Sequence, residues 1–264
     1  MQLFRSMVFN VAMYVWMLVI GLAFAPWAIA SRKGARAGCN AYARHTIAML
    51  DWIVGLRTET RGTPPSGEAL VAAKHQSFLD ILVIWAALRR PFFIMKALLV
   101  WAPILGQYAI RLGCIPVHRG KRTEAIKRML AEVRSGERRG GQLLIYPQGT
   151  RVAPGAVRPY KVGTFALYEQ LGQPCVPVAT NVGVFWPKRG FLRRQGLGVV
   201  EFLEPIPPGL DRATFMSLLE ERVETASNRL MEEAGFPVPP RPPLMGDPVT
   251  ATVETVAAEA VRAK

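Results

Sequence analysis

His75 and Asp80 are the two residues of this chain best suited to acid–base chemistry, and they lie five positions apart. His75 is one of three histidines, and an imidazole accepts a proton near neutral pH. A carboxylate such as that of Asp80 can hold the imidazole in one tautomer and stabilise its charged form. No serine or cysteine in a recognisable nucleophile motif accompanies the pair. The two residues therefore predict direct deprotonation of a substrate hydroxyl rather than a covalent enzyme intermediate.

The spacing of this pair makes a demand on the local fold. On a continuous helix, residues five apart are separated by about 140° around the axis, and their side chains would not meet. They meet if a strand over 69–74 ends at His75 and a helix begins just before Asp80, with Ser77 as its N-cap. The spacing therefore predicts strand, tight turn and helix. A helix N-terminus at that point also favours a negatively charged substrate.

A second set of polar residues follows an apolar run at 143–146 that predicts a buried strand. Gly149 permits close approach of the backbone to a ligand, Thr150 offers a hydroxyl, and Arg151 offers a planar fork suited to phosphate. A third apolar run, at 114–117, places Arg119 at its end. Each arginine has an alternative interpretation as a solvated side chain at a strand end.

Short apolar runs alternate with amphipathic stretches from about residue 56 onward, which predicts an α/β fold with a central mixed sheet flanked by helices. In the run at 175–179, Pro177 predicts an edge strand or a bulge. The predicted strands are 69–73, 92–95, 114–117, 143–146, 175–179 and 199–203, and the predicted helices are 79–90, 98–112, 123–138, 162–171 and 212–234.

The first 30 residues differ from the rest of the chain. Residues 7–30 contain no charged side chain and are long enough to cross a bilayer core of about 30 Å. Arg32, Lys33 and Arg36 follow, which places that end in the cytoplasm by the positive-inside rule. A second apolar helical stretch at 35–55 leaves open whether one helix spans the membrane or two helices enter one leaflet. A cleavable signal is disfavoured because the apolar run is too long and the charges follow it.

Three regions are therefore expected: membrane-anchoring helices at 1–55, an α/β domain at 56–235, and a proline-rich linker and tail at 236–264. The net charge of +14, with half the residues hydrophobic, suits anionic lipid headgroups or phosphorylated substrates. No zinc-finger or basic-region pattern supports nucleic acid as a partner. The three cysteines form no Cys-x-x-Cys pair, and we predict neither a disulfide nor a metal site.

Four blocks, at 74–80, 113–119, 146–151 and 175–179, together resemble the glycerolipid acyltransferase family, in particular 1-acyl-sn-glycerol-3-phosphate acyltransferases. That family shows Asn-His-x4-Asp, Gly-x-x-Phe-Ile-x-Arg, Phe-Pro-Glu-Gly-Thr-Arg and Val-Pro-Val. The resemblance covers about residues 56–210. Three departures stand out: Lys74 for asparagine, Pro116-Val117 for Phe-Ile, and Gln148 for glutamate. Glutamine keeps a carbonyl acceptor but loses the charge, so we expect Gln148 to orient the turn or the substrate by hydrogen bonding.

The resemblance implies a role for each of these blocks. His75 and Asp80 would be catalytic. The substrate would be bound by Lys96, Arg119, Gln148, Gly149, Thr150 and Arg151, with the three cationic side chains on the acceptor phosphate.

The resemblance also implies the reaction and its place in the cell. The acceptor would be a lysophospholipid with a free sn-2 hydroxyl, the donor an acyl thioester of coenzyme A or acyl carrier protein, and the product phosphatidic acid. No cofactor or metal is implied. The expected site is a bacterial inner membrane, with the catalytic domain on the cytoplasmic side. An acyltransferase for another lysolipid, such as lyso-ornithine lipid, and a non-enzymatic basic membrane-binding protein are the alternatives.

Overall fold

A computed structural model of the chain describes residues 1–102, 104–117 and 140–239, together with residues 124 and 127. Arg119, nearly all of the predicted helix at 123–138 and most of the predicted tail lie outside the described residues.

The described residues contain one seven-stranded mixed sheet, in the order β1-β7-β6-β2-β5-β3-β4. Every neighbouring pair is parallel except β6 and β7, which confirms the predicted mixed sheet. The strands are β1 (Leu56–Arg61), β2 (Ala69–Ala73), β3 (Pro91–Lys96), β4 (Ile115–Val117), β5 (Gln142–Ile145), β6 (Cys175–Thr180) and β7 (Gly196–Phe202).

Helices cover both faces of the sheet, and three α-helices precede it. Single turns of other helix types follow α3 at Leu50–Val54 and β3 at Ala97–Trp101. The α-helices are α1 (Gln2–Ala23), α2 (Ala25–Ala30), α3 (Arg32–Met49), α4 (Leu79–Ala87), α5 (Leu105–Arg111), α6 (Gly163–Leu171), α7 (Val182–Phe185) and α8 (Arg212–Glu233).

The central strands β2 and β6 are buried along their whole length. One core packs the sheet against α1, α4 and α7, with Phe9 and Ile84 among its members. The other core packs the opposite face against α6 and α8, around the stacked rings of Tyr168 and Phe215. Continuous apolar runs such as the one in β2 are expected for strands covered on both faces.

Two predictions about the sheet need correction. The edge alternative for the Pro177 strand is wrong, because β6 lies between β2 and β7. Leu203 N–H donates to Pro177 O, whereas Ile206 pairs with Cys175. The segment after β7 therefore advances three residues while β6 advances two. This bulge-like irregularity lets proline occupy the strand although it has no backbone N–H to donate to the neighbouring chain.

The sequence analysis also missed β1 and drew one helix too long. β1 is an edge strand with mostly solvent-facing polar side chains, so it carries almost no apolar signal. The predicted helix at 98–112 is broken before α5, where Ile104 adopts a positive φ of 63°. A β-branched residue in that conformation cannot continue a helix.

The N-terminal apolar run is also divided. α1 ends at Ala23, and Pro26 lies in the first turn of the separate helix α2, where a proline is tolerated. α3 begins after Ser31, whose hydroxyl accepts the N–H of Gly34. Within the described residues, α1 is the one helix long and apolar enough to cross a membrane, with a mean hydropathy of 1.9. The sequence analysis left open one helix or two, and the structure has three α-helices in this region.

Candidate active site

His75 and Asp80 lie on residues 74–80, between β2 and α4, which we name the His–Asp turn. β2 ends at Ala73 and α4 begins at Leu79, so Asp80 lies in the first turn of the helix. The His75 Nδ1 and Asp80 Oδ1 atoms are 2.9 Å apart. The strand–turn–helix arrangement that the spacing predicts is therefore the observed one.

The Asp80 carboxylate is fully buried and accepts four hydrogen bonds. Its Oδ2 accepts the backbone N–H groups of Gln76 at 2.9 Å and Ser77 at 2.7 Å. Its Oδ1 faces His75 and accepts the Tyr146 hydroxyl at 3.2 Å. An ionised carboxylate has only acceptors, so the Nδ1 atom of His75 carries the proton. The Nε2 atom is then the ring nitrogen able to accept one.

The predicted helix cap is wrong in detail. Phe78, not Ser77, is the N-cap residue of α4, and its side chain caps nothing. The Ser77 hydroxyl accepts the N–H of Leu79 at 3.2 Å. The Asp80 carboxylate reaches back to the N–H groups that precede the helix, so it both closes the turn and holds the imidazole.

Tyr146, at the end of β5, covers the imidazole from one side. Its ring stacks on that of His75, with centroids 3.8 Å apart and planes inclined by 18°. Burial, and then the negative charge of Asp80, raise the pKa of Tyr146 well above its usual range. The phenol therefore stays protonated and donates to Asp80.

A pocket of about 390 Å³ opens beside His75. One side carries Thr150, Arg151 and Lys188, which we name the basic wall. The Lys188 ammonium donates to Thr150 Oγ1 at 3.3 Å and to Arg151 O at 2.9 Å, which leaves its third N–H available to an anion. The other lining residues are Ile94, Met95, Ile145, Tyr146, Gly149, Gly163, Thr164 and Leu167.

Gly149 allows a further cation to approach the basic wall. Its φ is +71°, and a Cβ there would lie 2.6 Å from the Lys161 Nζ atom. Another residue would be strained and would also displace the lysine. Gly149 N–H donates to Tyr146 O at 2.8 Å, which closes the turn after β5.

Gln148 lies behind this wall, outside the set of pocket-lining residues. Its side chain is buried, and Nε2 donates to Arg158 O at 3.3 Å. Its Oε1 has no hydrogen-bond partner among the described residues. The geometry thus joins Gln148 to the following loop rather than to the pocket.

Lys74, the residue before His75, forms a buried ion pair on the far side of the turn. Its Nζ lies 2.6 and 2.7 Å from the two carboxylate oxygens of Glu224 on α8. The Tyr160 hydroxyl donates to the same carboxylate at 2.9 Å. The Val152 N–H donates to His75 O at 2.7 Å. The His–Asp turn, α8 and the loop after Arg151 are therefore held together.

His75, Gly149, Thr150 and Arg151 line one pocket, and Asp80 contacts His75 from behind. Their roles in substrate binding and catalysis stay predictions. Lys96 ends β3, and only its backbone is described. Arg119 lies outside the described residues.

Sequence reasoning missed Lys188 and Glu224. The basic cluster at 188–194 could have drawn attention to Lys188, whereas Glu224 lies beside the buried face of α8 and gives no clear signal in the sequence. Within the described ranges, no group of three His, Cys, Asp or Glu side chains is placed to hold a metal ion.

Comparison with known families bears on this arrangement. Residues 57–181 match the family described as Acyltransferase. That range contains the His–Asp turn and the turn that carries Arg151. The match agrees with the resemblance to glycerolipid acyltransferases, and the mixed sheet described above agrees with the predicted α/β fold.

The chain is similar to curated proteins of bacteria, plants and animals. A 1-acyl-sn-glycerol-3-phosphate acyltransferase of Pseudomonas aeruginosa is 27% identical over 59% of this chain and 61% of its own length. The protein of that name from Cocos nucifera is 30% identical over 73% and 62%. The human alpha form is 28% identical over 75% and 72%. The chain thus spans about six tenths of the length of the first two relatives.

The fold has a solved counterpart in the crystal structure of the 1-acyl-sn-glycerophosphate (LPA) acyltransferase, PlsC, from Thermotoga maritima. The two folds agree with a TM-score of 0.73 over 87% of this chain and 95% of that one, at 20% sequence identity. The structural match extends beyond residues 57–181.

Proposed function

We propose that this protein transfers a fatty acyl group from a thioester to the sn-2 hydroxyl of 1-acylglycerol 3-phosphate, giving phosphatidic acid. One observation carries the proposal: His75, oriented by Asp80, shares a pocket with the cations Arg151 and Lys188. A base beside an anion site suits an acceptor with a hydroxyl and a phosphate. The names of the curated relatives support that acceptor.

In the proposed reaction, His75 Nε2 takes the proton of the acceptor hydroxyl as its oxygen attacks the thioester carbonyl carbon. Asp80 stabilises the imidazolium that forms, as in hydrolytic triads. The tetrahedral intermediate then breaks its carbon–sulfur bond, and the imidazolium returns the proton to the leaving thiolate. The products are an ester and a free thiol, and His75 is neutral again.

The acceptor phosphate would bind the basic wall. Arg151 offers a planar fork and Lys188 a free N–H, while the Lys161 ammonium lies against Gly149. Lys96 and Arg119 stay predicted members of this site. The position of Gln148 supports a structural role, because its amide binds the backbone of the loop that follows Arg151.

Membrane association would use α1. Its polar side chains Gln2, Ser6 and Asn10 recur every fourth residue and bind the backbone of residues 191–193. One face of α1 is therefore attached to the α/β domain, while large apolar side chains on the other face are exposed. This attachment supports insertion into one leaflet over a perpendicular span. The cytoplasmic face of a bacterial inner membrane stays the predicted location.

The acyl donor and the acceptor headgroup can be settled in one experiment. Purified protein would be assayed with a panel of lysolipids, each combined with acyl coenzyme A and with acyl carrier protein. We expect the highest kcat/KM with 1-acylglycerol 3-phosphate. A preference for lyso-ornithine lipid or another lysolipid would contradict the proposed acceptor while leaving the acyl transfer intact.

The proposal is tested most directly at His75. The His75→Ala protein should lose acyl transfer by about 10⁴-fold, the upper range for a general base. His45→Ala is a matched control, because His45 is exposed on α3 and bonds only the indole of Trp16 in the described structure. Retained turnover in a folded His75→Ala protein, at the rate of the control, would overturn the proposal.

A further inference from the structure

Residues 188–194, Lys-Arg-Gly-Phe-Leu-Arg-Arg, connect the pocket to the first helix. We name them the basic loop. At one end, Lys188 lines the pocket and binds Thr150 and Arg151. At the other end, the backbone of Phe191 and Arg193 binds α1. The loop thus spans from the proposed acceptor site to the helix with the exposed apolar face.

The basic loop is closed by one buried cation. The Arg193 guanidinium donates to Gly190 O at 2.9 Å and to Leu192 O at 3.2 Å. It lies 4.6 Å from the ring centroid of Trp186 and is 8% exposed. Phe191 and Leu192 are both exposed to solvent, and Phe191 as a whole residue is 74% exposed.

The polar face of α1 sets where the loop points. Gln2 Nε2 donates to Arg193 O at 2.8 Å, and the Ser6 hydroxyl both donates to Arg193 O and accepts its N–H. Asn10 Nδ2 donates to Phe191 O at 3.1 Å. Positions adjacent to Asn10 along the helix surface carry exposed apolar side chains, among them Met7 and Tyr14. Phe191 therefore extends the exposed apolar surface of α1.

The charges of the loop complete the pattern. Arg189 and Arg194 are exposed, and neither has a carboxylate within 4.0 Å in the part of the chain that the structure describes. Two unpaired arginines beside an exposed phenyl ring match the chemistry of an anionic lipid surface, with phosphates above and acyl chains below.

We propose that the basic loop is a second membrane contact, which inserts Phe191 and Leu192 between lipids and binds anionic headgroups through Arg189 and Arg194. This proposal rests on the membrane association proposed for α1, and it adds that the membrane must contain anionic lipid. Because Lys188 joins the loop to the basic wall, this contact places the pocket at the headgroup level. An acceptor phosphate would then pass from the lipid surface to Lys188 and Arg151. A soluble acidic carrier protein is less well matched, since the exposed apolar surface continues onto α1.

The test measures binding of the full chain to vesicles of phosphatidylcholine, with and without phosphatidylglycerol. The double variant Arg189→Gln/Arg194→Gln should bind anionic vesicles about 30-fold more weakly, at about fivefold per arginine, and bind zwitterionic vesicles as before. Phe191→Ser should weaken binding to both. Arg212→Gln is the charge-matched control for the single variants Arg189→Gln and Arg194→Gln, because Arg212 begins α8 on the opposite face of the sheet.

Three results would overturn the proposal. One is unchanged binding of the double variant to anionic vesicles. Another is wild-type binding that does not increase with phosphatidylglycerol. A third is a higher KM for acyl carrier protein in the double variant with vesicle binding intact, which would assign the loop to the carrier. The wild type and the double variant should turn over a short-chain, water-soluble acceptor at the same rate. If the wild type does not turn over that acceptor, the proposed function is refuted instead.

Discussion

The His–Asp turn and the basic wall border the same pocket but are built differently. In the turn, the buried Asp80 has four hydrogen bonds, and Tyr146 stacks on the imidazole. In the wall, Arg151 is partly exposed and Lys188 is exposed, and Lys188 keeps a free donor. A proton acceptor must be oriented before substrate arrives, whereas cations that bind a mobile phosphate can stay solvated until it does.

The largest effect should come from changing the charge of the turn. In Asp80→Asn, the two N–H groups of Gln76 and Ser77 would select the amide oxygen, so the amide NH₂ would face His75. This reverses the tautomer and places the imidazole proton on Nε2. We expect kcat to fall on the order of 10³- to 10⁴-fold, as for loss of a triad carboxylate.

The Asp80→Asn measurement is kcat together with ¹⁵N NMR of the imidazole, which reports the tautomer. Asp51→Asn, at an exposed aspartate after α3, is the matched control. Wild-type kcat in Asp80→Asn would show that the turn is not the acid–base centre.

The second largest effect should come from breaking the Lys74–Glu224 ion pair, which attaches the His–Asp turn to α8. The side chains of Lys74 and Glu224 are 2% and 12% exposed, and Lys74→Met would leave Glu224 buried without its cation. Removing one partner of a buried pair costs about 3–5 kcal/mol of the free energy of unfolding. Thermal unfolding in detergent should show this loss, and Lys74→Met/Glu224→Gln should recover part of it. Equal stability of Lys74→Met and the exposed-site control Arg212→Met would contradict this role.

The smallest effect should come from the basic wall. Arg151→Gln and Lys188→Gln should each raise KM for a phosphorylated acceptor by about 10- to 100-fold, since a hydrogen bond to a charged group contributes about 1.5–3 kcal/mol. The value of kcat should change little. The KM for a monoacylglycerol without phosphate should not change. A fall in kcat with an unaltered KM would instead place these cations in the chemical step.

Much of the fold could be predicted because strong local signals agree with tertiary burial. β2 and β6 are continuous apolar runs buried on both faces, and the sequence places both within one residue. The failures occur where the local signal is weak or ambiguous. β1 has exposed polar side chains, and the interior place of Pro177 depends on which strands pair with it.

The sequence alone determined the reactive pair, the strand–turn–helix that lets His75 meet Asp80, the Gly149–Arg151 turn and the apolar N-terminal helices. These depend on residue type and on spacing over a few positions. Only the tertiary structure decided that Lys188 joins Arg151, that Glu224 neutralises Lys74, and that Asn10 holds Phe191 beside α1. Those contacts join residues 37, 150 and 181 positions apart. Such groups meet only when the chain folds, because the spacing of residues over a few positions does not indicate which distant segments come into contact.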